Sequence, residues 1–205
     1  MTRFSVGNGM PPVVKNLLII NGLVYLAQVV FAQQGVELEF WGALWPYQSP
    51  YFGVWQLVTH MFMHSRGTIF HIVFNMFGLW MFGSVLEKRW GSKRFLQFYL
   101  LCGIIAGIAH LLFSGGYASA VGASGAIMGI LAGFAYLFPN NELYLMLIPI
   151  PIKAKYAIPA LMALDLFGAF SGQSSNIAHW AHLGGALAGL IIVIIWNKTN
   201  RKTFY

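Results

Sequence analysis

The sequence predicts an all-α membrane protein, a polytopic bundle of six transmembrane helices. Three observations predict it: a composition too apolar for a water-soluble surface, six apolar stretches of near-spanning length, and basic residues confined almost wholly to one side. Of 205 residues, 58% are hydrophobic and 8% charged, whereas a soluble domain carries about a quarter charged residues. Five acidic residues cannot solvate a globular surface, so the apolar excess is expected to face lipid as well as a core.

The stretches run near 13–31, 69–86, 95–113, 121–138, 156–171 and 178–196. A span needs about 20 apolar residues. The first run ends in Gln33 and Gln34 without a small-residue cleavage site, so it reads as a permanent first span rather than a removed leader. The fifth is short and contains Asp165. It follows an apolar stretch, Leu143–Ile152, whose Pro149 and Pro151 disfavour a regular helix, so that stretch reads as an interfacial or loop segment.

Charge tests this drawing. Six spans place the N-terminus, the 2–3 loop, the 4–5 loop and the C-terminus on one side. That side holds Arg3, Lys15, Lys88, Arg89, Lys93, Arg94, Lys153, Lys155, Lys198, Arg201 and Lys202, and only Arg66 lies opposite. Basic residues concentrate on cytoplasmic loops, so both termini are expected in the cytoplasm. The drawing gives a short cytoplasmic segment at 1–12, a membrane domain at 13–196 and a basic cytoplasmic tail at 197–205. The formal charge of +7 thus reports topology, and no nucleic-acid partner is expected. The single cysteine, Cys102, excludes an internal disulfide and reads as a packing residue. The first external loop, roughly 32–67, is rich in aromatics; Trp41 and Trp45 are four apart, as on one helical face. The loop is expected to lie on or partly in the outer leaflet.

Polar side chains inside spans are costly and call for a purpose. They are His71 and Asn75 in span 2, Ser124 in span 4, Asp165 in span 5, and His179 and His182 in span 6. Counting from the cytoplasmic ends at 1.5 Å per residue puts Ser124 and His182 roughly 22 Å up, and His71 and Asn75 roughly 24 and 18 Å up. These four share one layer below the outer surface.

Ser124 sits in Gly122-Ala123-Ser124-Gly125 at the start of span 4. Free N–H groups and the positive dipole end suit a nucleophile whose attack creates an oxyanion. Alone, such a serine is ordinarily a packing residue. His182, Gly185 and Gly189 share one face of span 6, and Gly125, Gly129 and Gly133 form a small-residue stripe on span 4. Close approach of these stripes brings His182 to Ser124 as a general base; a satisfied packing histidine is the alternative. His179 is the rival base. His71 and Asn75, at i and i+4, can donate to an oxyanion or form an interhelical polar clamp. His60 and His64 could ligate zinc on a helix, but a third ligand is not obvious and no His-Glu-x-x-His is present. No metal or cofactor is expected, and these two histidines read as partners of the loop. Asp165 counts to roughly 15 Å, about 7 Å below the layer. It reads as a structural helix-to-helix bond, and the site as a Ser–His dyad without an acidic third member.

Together, His71-Ile-Val-Phe-Asn75, Leu86-Glu87-Lys88-Arg89-Trp90-Gly91, Gly122-Ala-Ser124-Gly125 and Ala181-His182-Leu-Gly184-Gly185, continuing to Gly189, resemble the rhomboid family of intramembrane serine proteases. The ordered set covers about residues 50–195. The resemblance implies a six-helix bacterial core with both termini cytoplasmic in an inner membrane. It implies Ser124 as nucleophile, His182 as general base, and His71 and Asn75 at the oxyanion hole. Substrates would be transmembrane or juxtamembrane segments of other proteins, approached from the lipid past span 5, with the polar loop Ser171–Asn176 as a cap. Two positions depart from the pattern: Trp55-Gln56 stands where many bacterial members carry Trp-Arg, and Met128 where some carry an aromatic that stacks on the histidine. The alternatives are a rhomboid-like pseudoprotease that binds membrane proteins without cutting them, and a small transporter, which would favour inverted repeats that the sequence lacks.

Overall fold

The structure, a computed structural model, describes residues 9–114, 119–145, 148–170 and 178–199. The loop proposed as a cap, and Arg3, Arg201 and Lys202, lie outside them.

Helix α1 spans Pro12–Ala32. Proline at the first helical position loses no intrahelical bond. Its opening N–H groups are capped from elsewhere: Glu87 accepts from the amides of Val13 at 2.9 Å and Val14 at 2.7 Å, and from the Ser92 hydroxyl at 2.7 Å. A carboxylate at a helix N-terminus complements the dipole, so this buried charge ties α1 to the second span.

A long first connection follows. It holds the short helices α2, Glu39–Gly42, and α3, Gln56–Thr59, with a 3-10 turn at His60–Phe62. Because α2 ends at Gly42, Trp45 lies beyond it, and the helical-face reading of Trp41 and Trp45 is corrected. The indoles are organised by hydrogen bonds instead: Trp45 Nε1 donates to Phe40 O at 2.9 Å and Trp55 Nε1 to Trp41 O at 3.3 Å. Arg66 pairs with Glu37 and Glu39.

The second span runs Ile69–Trp90. It comprises α4, Ile69–Gly78, a π-helical segment Leu79–Gly83, and α5, Ser84–Trp90. The Thr68 side chain caps α4 by accepting from Phe70 N. Gly91, at φ +80°, ends α5 in a conformation L side chains rarely adopt. Helix α6 then spans Ser92–Phe113, α7 Ser124–Leu137, α8 Ala154–Phe170 and α9 His179–Thr199. Between α7 and α8, strands β1, Glu142–Leu145, and β2, Ile148–Lys153, form an antiparallel hairpin. The described residues of the proline-containing stretch, 143–145 and 148–152, are strand, which corrects the reading of an interfacial or loop segment while keeping it non-helical.

By length and composition, α1, Ile69–Trp90, α6 and α9 can each cross a membrane; α7 is a shorter apolar helix. Helix α7 is the central element, with Gly125, Gly129, Ile130 and Phe134 buried. It packs against α6 and α9, and its core neighbours include Phe95, Phe98, Tyr99, Cys102 and Val193. Outward faces are apolar: Leu23 is 61% exposed and Phe167 75%. Such faces suit lipid, with backbone groups satisfied within each helix. The protein is a polytopic helical membrane bundle.

Candidate active site

Helices α7 and α9 meet backbone to backbone. A Cβ on Gly185 would lie 1.9 Å from the Gly125 carbonyl oxygen, and one on Gly189 2.4 Å from that of Gly129. Glycine alone permits this approach, as the small-residue stripes imply. Gly133 departs from the stripe: it faces Phe98, Leu86 and Trp90 rather than α9.

This packing brings the first turn of α9 to the first turn of α7. His182 Nε2 lies 2.7 Å from Ser124 Oγ. Ser124 is the first residue of α7, where the earliest N–H groups have no intrahelical acceptor. The chain enters that turn through Gly122 at φ +124°, which donates its amide to His60 O at 2.8 Å. A bridge between Leu44 and Ala120 ties the same segment to the first connection.

His71 faces Gly122 closely enough that a Cβ there would lie 3.1 Å from His71 Nε2. The Ser65 amide donates to His71 Nδ1 at 3.1 Å. An amide only donates, so Nδ1 is the acceptor and the neutral ring carries its proton on Nε2, on the Gly122 side. Asn75 Nδ2 donates to His71 O at 2.6 Å, and its second N–H remains for another acceptor. The structure thus gathers Ser124, His182 and His71, with Asn75 one turn beneath His71.

The depth count places Asp165 below this layer and apart from His182. The structure corrects it. Asp165 Oδ2 lies 2.7 Å from His182 Nδ1, and Oδ1 lies 2.5 Å from His179 Nδ1. The count measures rise along parallel axes and omits side-chain reach. The imidazole and carboxymethyl groups together span the difference of about 7 Å. The signal that could have found this contact was already present. A lone carboxylate in a span requires partners, and His179 and His182, three apart at the start of the next helix, share one face.

His60 and His64 serve the loop, as expected. His60 Nδ1 bonds Gln56 O at 2.7 Å and His64 Nδ1 bonds Phe62 O at 3.2 Å. Burial pushes both imidazoles down to about 4, against their carbonyl bonds, so both are neutral near pH 7. His64 is further tied to α1, where Gln28 pairs with its amide at 2.9 Å and its carbonyl at 2.8 Å.

Gln56, standing where the resemblance has arginine, is a hub for the loop. It is 1% exposed. Its Oε1 accepts from Trp45 N and Gly53 N, both at 3.2 Å, and its Nε2 donates to Tyr51 O at 2.9 Å. Gln56→Leu orphans those groups and is expected to destabilise the fold by about 1–3 kcal/mol. Thermal unfolding in detergent reads this directly, and an unchanged midpoint would contradict the hub.

The Rhomboid domain profile matches residues 51–198. The chain is 36% identical over 143 residues to presenilin-associated rhomboid-like protein A, mitochondrial, of Danio rerio, covering 65% of this chain and 37% of that protein. It is 34% identical to the Homo sapiens presenilin-associated rhomboid-like protein, mitochondrial, covering 65% of this chain and 38% of that protein. It is 29% identical over 197 residues to the rhomboid protease GlpG of Photorhabdus laumondii, covering 94% of this chain and 63% of that protein. The chain thus spans well under half the length of the mitochondrial relatives. The matched residues contain the whole Ser124–His182–His71 cluster, and the chain belongs to the rhomboid family.

Proposed function

We propose that this protein is an intramembrane serine endopeptidase that cleaves transmembrane or juxtamembrane segments of other membrane proteins. The observation that carries the reading is the 2.7 Å contact between Ser124 Oγ and His182 Nε2 at the N-terminus of α7. Its relatives' names include a rhomboid protease, which supports the same chemistry.

Ser124 Oγ attacks the scissile carbonyl carbon while His182 Nε2 takes the hydroxyl proton. The carbonyl π pair moves to oxygen. The Ser124 N–H, the His71 Nε2–H and the free Asn75 N–H stabilise that oxyanion in a site of low dielectric. Collapse breaks the C–N bond, and His182 returns the proton to the departing amine. Water then attacks the Ser124 ester with His182 again as base, releasing the carboxyl product and the serine. An intact substrate helix hides its carbonyls in hydrogen bonds, so segments with small or helix-breaking residues are the preferred substrates. The basic-residue distribution supports six spans with both termini cytoplasmic, and the likeness to a bacterial rhomboid protease supports a bacterial inner membrane. The site then lies toward the outer leaflet, where water is near.

Reconstitution with a fluorogenic transmembrane reporter tests this. Wild-type protein is expected to cleave the reporter in proteoliposomes and Ser124→Ala to leave it intact. Equal cleavage by both would overturn the reading, and binding of the reporter without cleavage would favour the pseudoprotease.

A further inference from the structure

Asp165 sits between two histidines of α9, and its place on α8 gives that contact a further consequence. A carboxylate can only accept hydrogen bonds, so the 2.7 Å contact fixes the His182 proton on Nδ1. The Nε2 lone pair is thereby left for the Ser124 hydroxyl, the tautomer a general base requires. The second carboxylate oxygen is held by His179 Nδ1 at 2.5 Å. The carboxylate is therefore oriented by two donors on one face of α9. His179 is itself seated on α8, where a Cβ on Gly168 would lie 2.5 Å from its Cε1. Asp165 and Gly168 are three residues apart and share a helical face.

Burial along α8 is uneven. Ala154, Ala157 and Ile158, at its start, are buried in the core. From Pro159 to Gly168, Asp165 is the only buried residue, with Met162 half-buried beside the core. Leu164, next to Asp165, is 68% exposed. The first turns of α8 are thus anchored by packing, whereas among the described residues its second half meets α9 through the polar contacts of Asp165 and through Gly168 against His179. Pro159 lies between the two parts and removes one backbone bond there.

We propose that Asp165 is a positioning residue for His182, and that its place on α8 makes the Ser124–His182 pair competent only while the second half of α8 is seated on α9. The inference rests on the serine-endopeptidase reading and deepens it. Moving that half of α8 away from α9 withdraws the carboxylate and releases the histidine tautomer.

The test is Asp165→Asn in detergent, with reporter cleavage and fluorophosphonate labelling measured beside wild type and Asp165→Glu. Asparagine can present N–H to His182 Nδ1 and so permits the wrong tautomer. The expected result is a fall in kcat and in labelling rate of about 10²–10⁴-fold, the upper value matching loss of a triad carboxylate. KM is expected to stay within about threefold, because uniform binding is untouched. Asp165→Glu keeps the acceptor and is expected to recover at least about tenfold of the loss. A folded Asp165→Asn with wild-type kcat, or an effect confined to KM, overturns the proposal and leaves the endopeptidase reading standing. Unfolding of both variants assigns Asp165 to structure alone and overturns it too. Wild-type protein that neither cleaves nor labels removes the underlying reading.

Discussion

Cleavage by His182→Ala is expected to fall by on the order of 10⁴-fold or more, with the bundle intact. Removing a nucleophile's base costs a serine protease nearly as much as removing the whole catalytic set, because the residues act as a unit. Here His182 Nε2 is the acceptor for the Ser124 hydroxyl. Its loss leaves an alcohol with no group to take its proton. Without the imidazole α9 is still held to α7 at Gly185 and Gly189, and Asp165 keeps its contact with His179. The same measurement on His179→Ala separates the rival base. His179 Nδ1 meets Asp165, whereas His182 Nε2 meets Ser124 Oγ, so the loss of His179 is expected to cost far less than that of His182. Comparable losses would mean that the base has been misassigned.

The second large effect is Gly185→Ala, a change of one methyl group that touches no reacting atom. The new Cβ would lie 1.9 Å from the Gly125 carbonyl oxygen, and the Gly125 carbonyl carbon is only 2.7 Å away. Both are backbone atoms, which have no rotamer with which to retreat. Carbon needs about 3.5 Å from its neighbours, so α7 and α9 must part by about 1 Å or more near the site. A misplacement of about 1 Å can cost on the order of 10²-fold in rate, and overpacking costs about 1–3 kcal/mol of stability. Gly185→Ala is therefore expected to lose at least about 10²-fold in kcat and to melt earlier. Gly22→Ala on α1 is the matched control, because nothing lies within 4 Å of a Cβ there. Equal activity of both variants would show that the α7–α9 approach does not set the site.

The bundle and most of the candidate site were legible in the sequence because a membrane magnifies a few signals. Apolar run lengths drew the long helices. Ser124, His182, His71 and Asn75 stood out because polar groups are expensive in spans. The glycine stripes gave the α7–α9 approach, although Gly133 faces Phe98 instead. What failed were inferences that depend on tertiary detail. The Asp165–His182 contact was missed because axial counting omits side-chain reach. The pairing of Trp41 with Trp45 failed because α2 stops at Gly42. Glu87 gave no sign in the sequence of capping α1, since its partners Val13 and Val14 lie more than seventy residues earlier. Gln56 looked like a departure and proves to be a satisfied hub, a role that rests on three loop backbone groups no spacing rule connects.

The central claim is that Ser124 is a nucleophile activated by His182. Fluorophosphonate labelling of the detergent-solubilised protein, beside Ser124→Ala and His182→Ala, tests it without knowledge of any substrate. The account predicts covalent labelling of wild type that is lost in both variants. A folded wild type that takes no label, or His182→Ala that labels as fast as wild type, would contradict it.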